Sequence, residues 1–130
     1  MSELASTDLH GRRILVAEDE YMIAQEIVDA LSDVGATILG PVSRLKDAIR
    51  LLTMENRIDG ALLDVNLSNE AIWPVVDALQ ARAVPLVLAT GYDTSAIPAA
   101  YAGLPRCEKP ATGQDLARTL AKVITDVTRG

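Results

Sequence analysis

Hydrophobic positions along the chain fall into two alternating kinds of run. The first kind is short and continuous: Arg13-Ile14-Leu15-Val16-Ala17, Ala36-Thr37-Ile38-Leu39-Gly40, Gly60-Ala61-Leu62-Leu63-Asp64 and Val84-Pro85-Leu86-Val87-Leu88-Ala89. Continuous apolar runs of this length suit strands covered on both faces, as in a parallel sheet. Arg106-Cys107-Glu108 is shorter and more polar, and fits a strand at a sheet edge.

The second kind has helical spacing. Ile23, Ile27, Ala30, Leu31 and Val34 form one stripe, closed by Gly35 as the C′ residue. Leu45, Ala48, Ile49 and Leu52 form the next, with Ser43 as N-cap. Val75, Val76 and Leu79 form a third, with Ser68 and Asn69 offering caps and Pro74 in the first turn, where its missing N–H matters little. A fourth helix around residues 95–102 is interrupted by Pro98. Leu116, Leu120, Val123, Ile124 and Val127 make the last stripe, read as core packing, after a Thr112…Asp115 pair that resembles a capping box. Five strands alternating with five helices predict a doubly wound α/β domain with a parallel sheet.

Composition refines this picture. The 130 residues suit one domain, read as 12–130 after a loose polar tail at 1–11 that contains His10, a solvated side chain far from any motif. With no Phe, the core is built from Leu, Ile, Val and Ala. A net charge of −6 disfavours nucleic-acid binding through a broad basic face. The single Cys107 rules out an internal disulfide and fits a reducing, cytoplasmic compartment. No apolar run approaches membrane-spanning length, and the start resembles neither a secretory signal nor a transit peptide.

The strand ends carry the chemistry. The first strand leads into Glu18-Asp19-Glu20, the third ends in Asp64, the fourth in Thr90, and the fifth in Lys109. In a parallel sheet these ends share one edge, where sites form near the topological switch point. The acidic trio also lies where a helix dipole favours negative charge. With Asp64 and Lys109 in the same chain, metal binding is the better reading for Glu18 and Asp19, and Glu20 is read as solvated. Converging carboxylates repel one another, and an all-oxygen set selects a hard cation such as Mg²⁺. With Mg²⁺ present, Asp64 can attack phosphorus and form an aspartyl phosphate. The Lys109 ammonium and the Thr90 hydroxyl are suited to hold the incoming phosphoryl group, and Gly91 keeps the approach open.

Ile14 to Asp19, Leu62 to Asp64, Ala89-Thr90 and Lys109-Pro110 resemble the receiver domain of two-component response regulators over about residues 12–127. That resemblance implies a flavodoxin-like (βα)5 fold with strand order 2-1-3-4-5. It implies Asp64 as phosphoacceptor, Glu18, Asp19, Asp64 and the Asn66 backbone carbonyl around Mg²⁺, and Thr90 and Lys109 on the phosphoryl group. A cis peptide between Lys109 and Pro110 is expected on the same ground. The family's aromatic switch position on the fifth strand is Arg106 here, read as a solvated edge residue, and Leu67-Ser68-Asn69 replaces the usual Met-Pro-Gly-like turn. Both departures resemble a subgroup of single-domain receivers named for a Phe-Ala-Thr-Gly-Tyr stretch. Leu88-Ala89-Thr90-Gly91-Tyr92 corresponds to it, which makes Thr90, Tyr92 and Arg106 the switch candidates.

The expected function is a stand-alone receiver that takes a phosphoryl group from a sensor histidine kinase. It would catalyse only its own phosphorylation and dephosphorylation. Its output would be contact with a downstream protein through the fourth helix, fifth strand and fifth helix, with homodimerisation left open. A receiver excised from a hybrid kinase would carry the same residues. Two other classes compete. A Mg²⁺-dependent phosphohydrolase with Asp64 as nucleophile commonly has a second Asp two residues later as general acid, and Asn66 stands there. A flavodoxin-like cofactor binder has a Ser/Thr/Gly-rich phosphate loop where this chain has acids.

Overall fold

Three of the four continuous apolar runs become central strands, covered by helices on both faces of the sheet, and the fourth, at 36–40, becomes an edge strand. The computed structural model describes residues 9–91, 97–109 and 111–129. Strand β1 (Arg13–Ala17) is followed by helix α1 (Tyr21–Asp33), β2 (Thr37–Val42), α2 (Leu45–Met54) and β3 (Gly60–Asp64). Next come a hairpin of β4 (Asn66–Leu67) and β5 (Glu70–Ala71), α3 (Trp73–Ala81), β6 (Leu86–Thr90), a 3₁₀ turn (Ala99–Tyr101), β7 (Arg106–Glu108) and α4 (Gly113–Arg129). The main sheet is parallel in the order β2-β1-β3-β6-β7. Leaving out the small hairpin, this is the expected 2-1-3-4-5 order of a flavodoxin-like sheet.

Side chains alternate along each central strand and divide the core in two. Ile14, Val16, Leu62, Val87 and Ala89 face Ile27 and Leu31 of α1 and Leu116, Leu120 and Ile124 of α4. Leu15, Ala17, Ala61, Leu63, Leu86 and Leu88 face Ala48 and Leu52 of α2 and Val75, Val76 and Leu79 of α3. All five residues of β3 and all five of β6 are buried. Asp64 and Thr90 are thus held at the ends of the two most enclosed strands.

The glycines permit two close fits. Gly35 adopts φ +81 just past the C-cap of α1, as its predicted C′ role requires. At Gly113 a Cβ would collide with the Glu26 backbone of α1, so a side chain there would push α4 off its neighbour. The Gly113 N–H also donates to Glu26 Oε1 at 2.9 Å. The capping box forms as expected: Asp115 N–H donates to Thr112 Oγ1 at 3.0 Å, and Thr112 N–H to Asp115 Oδ2 at 3.1 Å. These contacts fix the chain leaving Lys109.

Several expectations are corrected. Leu9, expected in the loose tail, is fully buried against the α1–α4 side of the core, while His10 is exposed as expected. Strand β2 does not end at Gly40 but continues through Pro41 to Val42. A bulge opposite Leu15 to Ala17 accommodates Gly40 at φ +106, and the Gly40–Pro41 peptide is cis. The N-cap of α2 is Arg44 rather than Ser43, and no side chain caps it. Ile49 and Val127, expected in apolar stripes, are exposed because they lie beyond the edge of each buried face. Ser68 and Asn69 do not cap a helix. They adopt φ 50 and φ 67 and turn the β4–β5 hairpin, with Ile72 as the N-cap of α3. The expected fourth helix is a 3₁₀ turn in its described part, and 92–96 lie outside the described residues. Tyr101 of that turn stacks on Trp73, with ring centroids 4.4 Å apart, and its hydroxyl donates to Asp77 Oδ1 at 2.8 Å.

Candidate phosphoacceptor and metal site

Parallel pairing brings the carboxyl ends of β1, β3, β6 and β7 together. Asp64 sits opposite Ala89, and Thr90 opposite Glu108, one residue before Lys109. Lys109 N–H donates to the Thr90 carbonyl at 2.6 Å, continuing the ladder past the strand end. The bulge in β2 aims the Val42 carbonyl at Glu18, whose N–H donates to it at 3.0 Å. Backbone pairing therefore positions the candidate residues before any side chain does.

The side chains then converge. Lys109 Nζ donates to Asp64 Oδ2 at 3.0 Å and lies 3.5 Å from Glu18 Oε1. Asp64 Oδ1 accepts the Asn66 N–H at 3.1 Å, and Glu18 Oε2 accepts the Glu20 N–H at 3.1 Å. One carboxylate oxygen from each of Glu18, Asp19 and Asp64 lies within 4.8 Å of the others. Glu18 is 3 % exposed and Asp64 7 %, whereas Asp19 is exposed. Three carboxylates thus face one ammonium.

The electrostatics register that imbalance. The Glu18 carboxyl is pushed up from 4.5 to about 8, first by burial and then by Asp64, which accepts a hydrogen bond only from a protonated Glu18. The Glu20 N–H and the Lys109 charge pull the other way without prevailing. Burial lowers the Lys109 pKa, but the Asp64 hydrogen bond and the two carboxylate charges outweigh it, leaving the ammonium firmly protonated. Thr90 Oγ1 is buried with no hydrogen-bond partner among the described residues, and Glu18 Oε1 is buried with no hydrogen bond beyond its 3.5 Å ion pair with Lys109 Nζ. Buried polar atoms left without partners are uncommon, and these two point to a ligand. A divalent cation at the three carboxylates fits the excess negative charge and the all-oxygen donor set.

The structure brings together Glu18, Asp19, Asp64, Thr90 and Lys109. Arg106 stands apart, exposed on the edge strand β7 and paired with Leu88. Tyr92 and the Lys109–Pro110 peptide lie outside the described residues. Sequence reasoning missed Ser68 as part of the site: its N–H donates to Asp19 Oδ2 at 2.8 Å, and its hydroxyl to the Ser43 carbonyl at 2.7 Å. Consecutive turn-forming residues at Ser68 and Asn69 were the available signal, but strands of two residues are too short to reveal a hairpin by alternation.

No protein-family model matches the chain, and no curated protein does. Solved structures do. SdrG from Sphingomonas melonis Fr1 is 35 % identical over 88 % of this chain and 97 % of its own, with a TM-score of 0.75. The BeF3-activated conformation of SdrG from Pseudomonas melonis Fr1 is 34 % identical over 86 % of this chain and 95 % of its own, with a TM-score of 0.68. A response regulator receiver protein from Sinorhizobium medicae WSM419 is 23 % identical over 90 % of this chain and 97 % of its own, with a TM-score of 0.75. This chain belongs to the response regulator receiver domains, a family of signalling modules. Among the described residues no helix is long and apolar enough to cross a membrane.

Proposed function

We propose that the chain is a receiver that accepts a phosphoryl group onto Asp64 from a sensor histidine kinase, with Mg²⁺ bound beside it, and signals through phosphorylation-dependent protein contacts. One observation carries the reading. A buried Asp64 carboxylate sits 3.0 Å from the Lys109 ammonium, beside two further carboxylates and a buried Thr90 hydroxyl with no partner.

Asp64 is the nucleophile. Its carboxylate oxygen attacks phosphorus, the P–O or P–N bond to the donor breaks, and an acyl phosphate forms on the side chain. Lys109, already hydrogen-bonded to Asp64 Oδ2, is placed to pair with the negative charge of the phosphoryl oxygens. The Thr90 hydroxyl is placed to donate to another of them. Glu18, Asp19, Asp64 and the Asn66 carbonyl would hold Mg²⁺, which supplies charge neutralisation to the phosphoryl oxygens.

SdrG, at 34 % identity, has a BeF3-activated conformation, which supports reading this chain as one that is activated in a similar way. Thr90 is proposed to sense the modification, with Tyr92 as the switch aromatic that Arg106 does not supply. An added charge of about −1.5 to −2 on Asp64 gives such a switch its driving force. The test is incubation with a small acyl phosphate. Wild type should gain one phosphoryl group by intact mass in Mg²⁺ and none in chelator, and Asp64→Asn none in either. Equal labelling of wild type and Asp64→Asn contradicts the proposal.

A further inference from the structure

The hairpin that follows Asp64 does more than join two elements. Ser68 sits at its tip, exposed and at φ 50, and makes two bonds to separate segments of the site. Its N–H donates to Asp19 Oδ2 at 2.8 Å, across 49 positions of sequence. Its hydroxyl donates to the Ser43 carbonyl at 2.7 Å, in the loop after β2. At the base of the hairpin, Asn66 pairs with Ala71, and the Asn66 N–H donates to Asp64 Oδ1 at 3.1 Å. The hairpin therefore touches two of the three clustered carboxylates through backbone amides.

Asp19 is the member of that trio with most need of such a contact. Glu18 and Asp64 are buried and packed, whereas Asp19 is exposed and makes no ion pair among the described residues. An exposed carboxylate samples several rotamers, and fixing one of them is an entropic loss that any ligand must meet. A hydrogen bond from outside the ligand set meets it in advance, as partners of ligating side chains do in metal sites generally.

We infer that Ser68 is a positioning residue for the cation site: its backbone amide holds Asp19 Oδ2 and so fixes the carboxylate that clusters with Glu18 and Asp64. The inference rests on the Mg²⁺ reading above and adds to it the hairpin amide as the group that pre-orients Asp19. The φ of 50 matters, because the hairpin turns at Ser68 and a residue locked near −65 cannot follow that turn.

The experiment is a Mg²⁺ titration of the full chain followed by amide chemical shifts, with no phosphoryl donor present. Ser68→Pro removes the N–H and the conformation together, and its Mg²⁺ affinity should fall about 10- to 100-fold. Ser68→Gly keeps the N–H, suits the positive φ and loses only the hydroxyl, and should retain most of the affinity. Unchanged or tighter binding by folded Ser68→Pro overturns the inference and leaves the metal reading standing. A loss in Ser68→Gly as large as in Ser68→Pro overturns it too, because the amide is then not the working group. Absence of any saturable response in wild type overturns the metal reading itself, and this inference with it. A second measurement does not depend on Ser68→Pro folding. In metal-free protein the Ser68 amide should exchange with solvent about 10-fold or more slowly than in Asp19→Ala, as a bond to a charged acceptor requires. Equal exchange rates overturn the inference.

Discussion

Replacing Glu18 by Gln should change the pH dependence of metal-free stability in a direction that follows from the site. The folded protein holds the Glu18 proton up to about pH 8, whereas the unfolded chain releases it near the ordinary value of 4.5. Between those limits the native state binds more protons than the unfolded state, so wild-type stability falls as pH rises. The contribution is fully present below 4.5 and lost by about 8. Gln carries no titrating proton and occupies nearly the same volume. The stability of Glu18→Gln minus that of wild type should therefore grow with pH, by at most about 1.4 kcal/mol per pH unit inside the window, and level off above it. Urea denaturation in chelator, at several values from pH 4.5 to pH 8.5, measures it. Mg²⁺ should then reverse the order at neutral pH, because the cation stabilises only the protein that keeps all three carboxylates. Parallel pH curves for the two metal-free proteins would refute the reasoning, since Glu18 would then not be held protonated by burial and by Asp64.

Two further outcomes test the packing that carries the site. Leu120→Ala removes a fully buried side chain beneath Gly60 and β3, and should destabilise the protein by about 2–5 kcal/mol in chemical denaturation without altering the m-value. Tyr101→Phe loses the solvent-exposed bond to Asp77 but keeps the stack on Trp73, so only a slight destabilisation is expected, with the fluorescence of this single Trp nearly unchanged. Tyr101→Ala removes the stack as well and should shift that fluorescence.

The strands and the helix stripes were legible because burial on both faces leaves a plain signal. Gly60–Asp64 and Arg13–Ala17 begin and end where the apolar runs do. The convergence of Glu18, Asp19, Asp64, Thr90 and Lys109 followed from parallel topology alone, since strand ends in such a sheet share an edge. What stayed hidden depends on local backbone conformation. The φ of +106 at Gly40 carries β2 past a Gly-Pro pair that reads as a stop. The positive φ at Ser68 and Asn69 turns two expected helix caps into a hairpin tip. Both sites lie beside candidate metal ligands: the bulge serves the Glu18 amide through Val42, and the hairpin serves Asp19. Leu9 was hidden for another reason, because one apolar residue among polar neighbours carries no periodicity. The Trp73–Tyr101 stack joins elements far apart in sequence, and no spacing rule predicts such a pair.

The central claim is that the phosphoryl group resides on Asp64 as an acyl phosphate. Borohydride reduction after treatment with an acyl phosphate and Mg²⁺ converts a phosphorylated Asp to homoserine, and peptide mapping then reads its position. Homoserine at position 64, dependent on Mg²⁺, is the predicted result. Modification at any other residue, or phosphate that survives as an alkali-stable ester, would contradict the account.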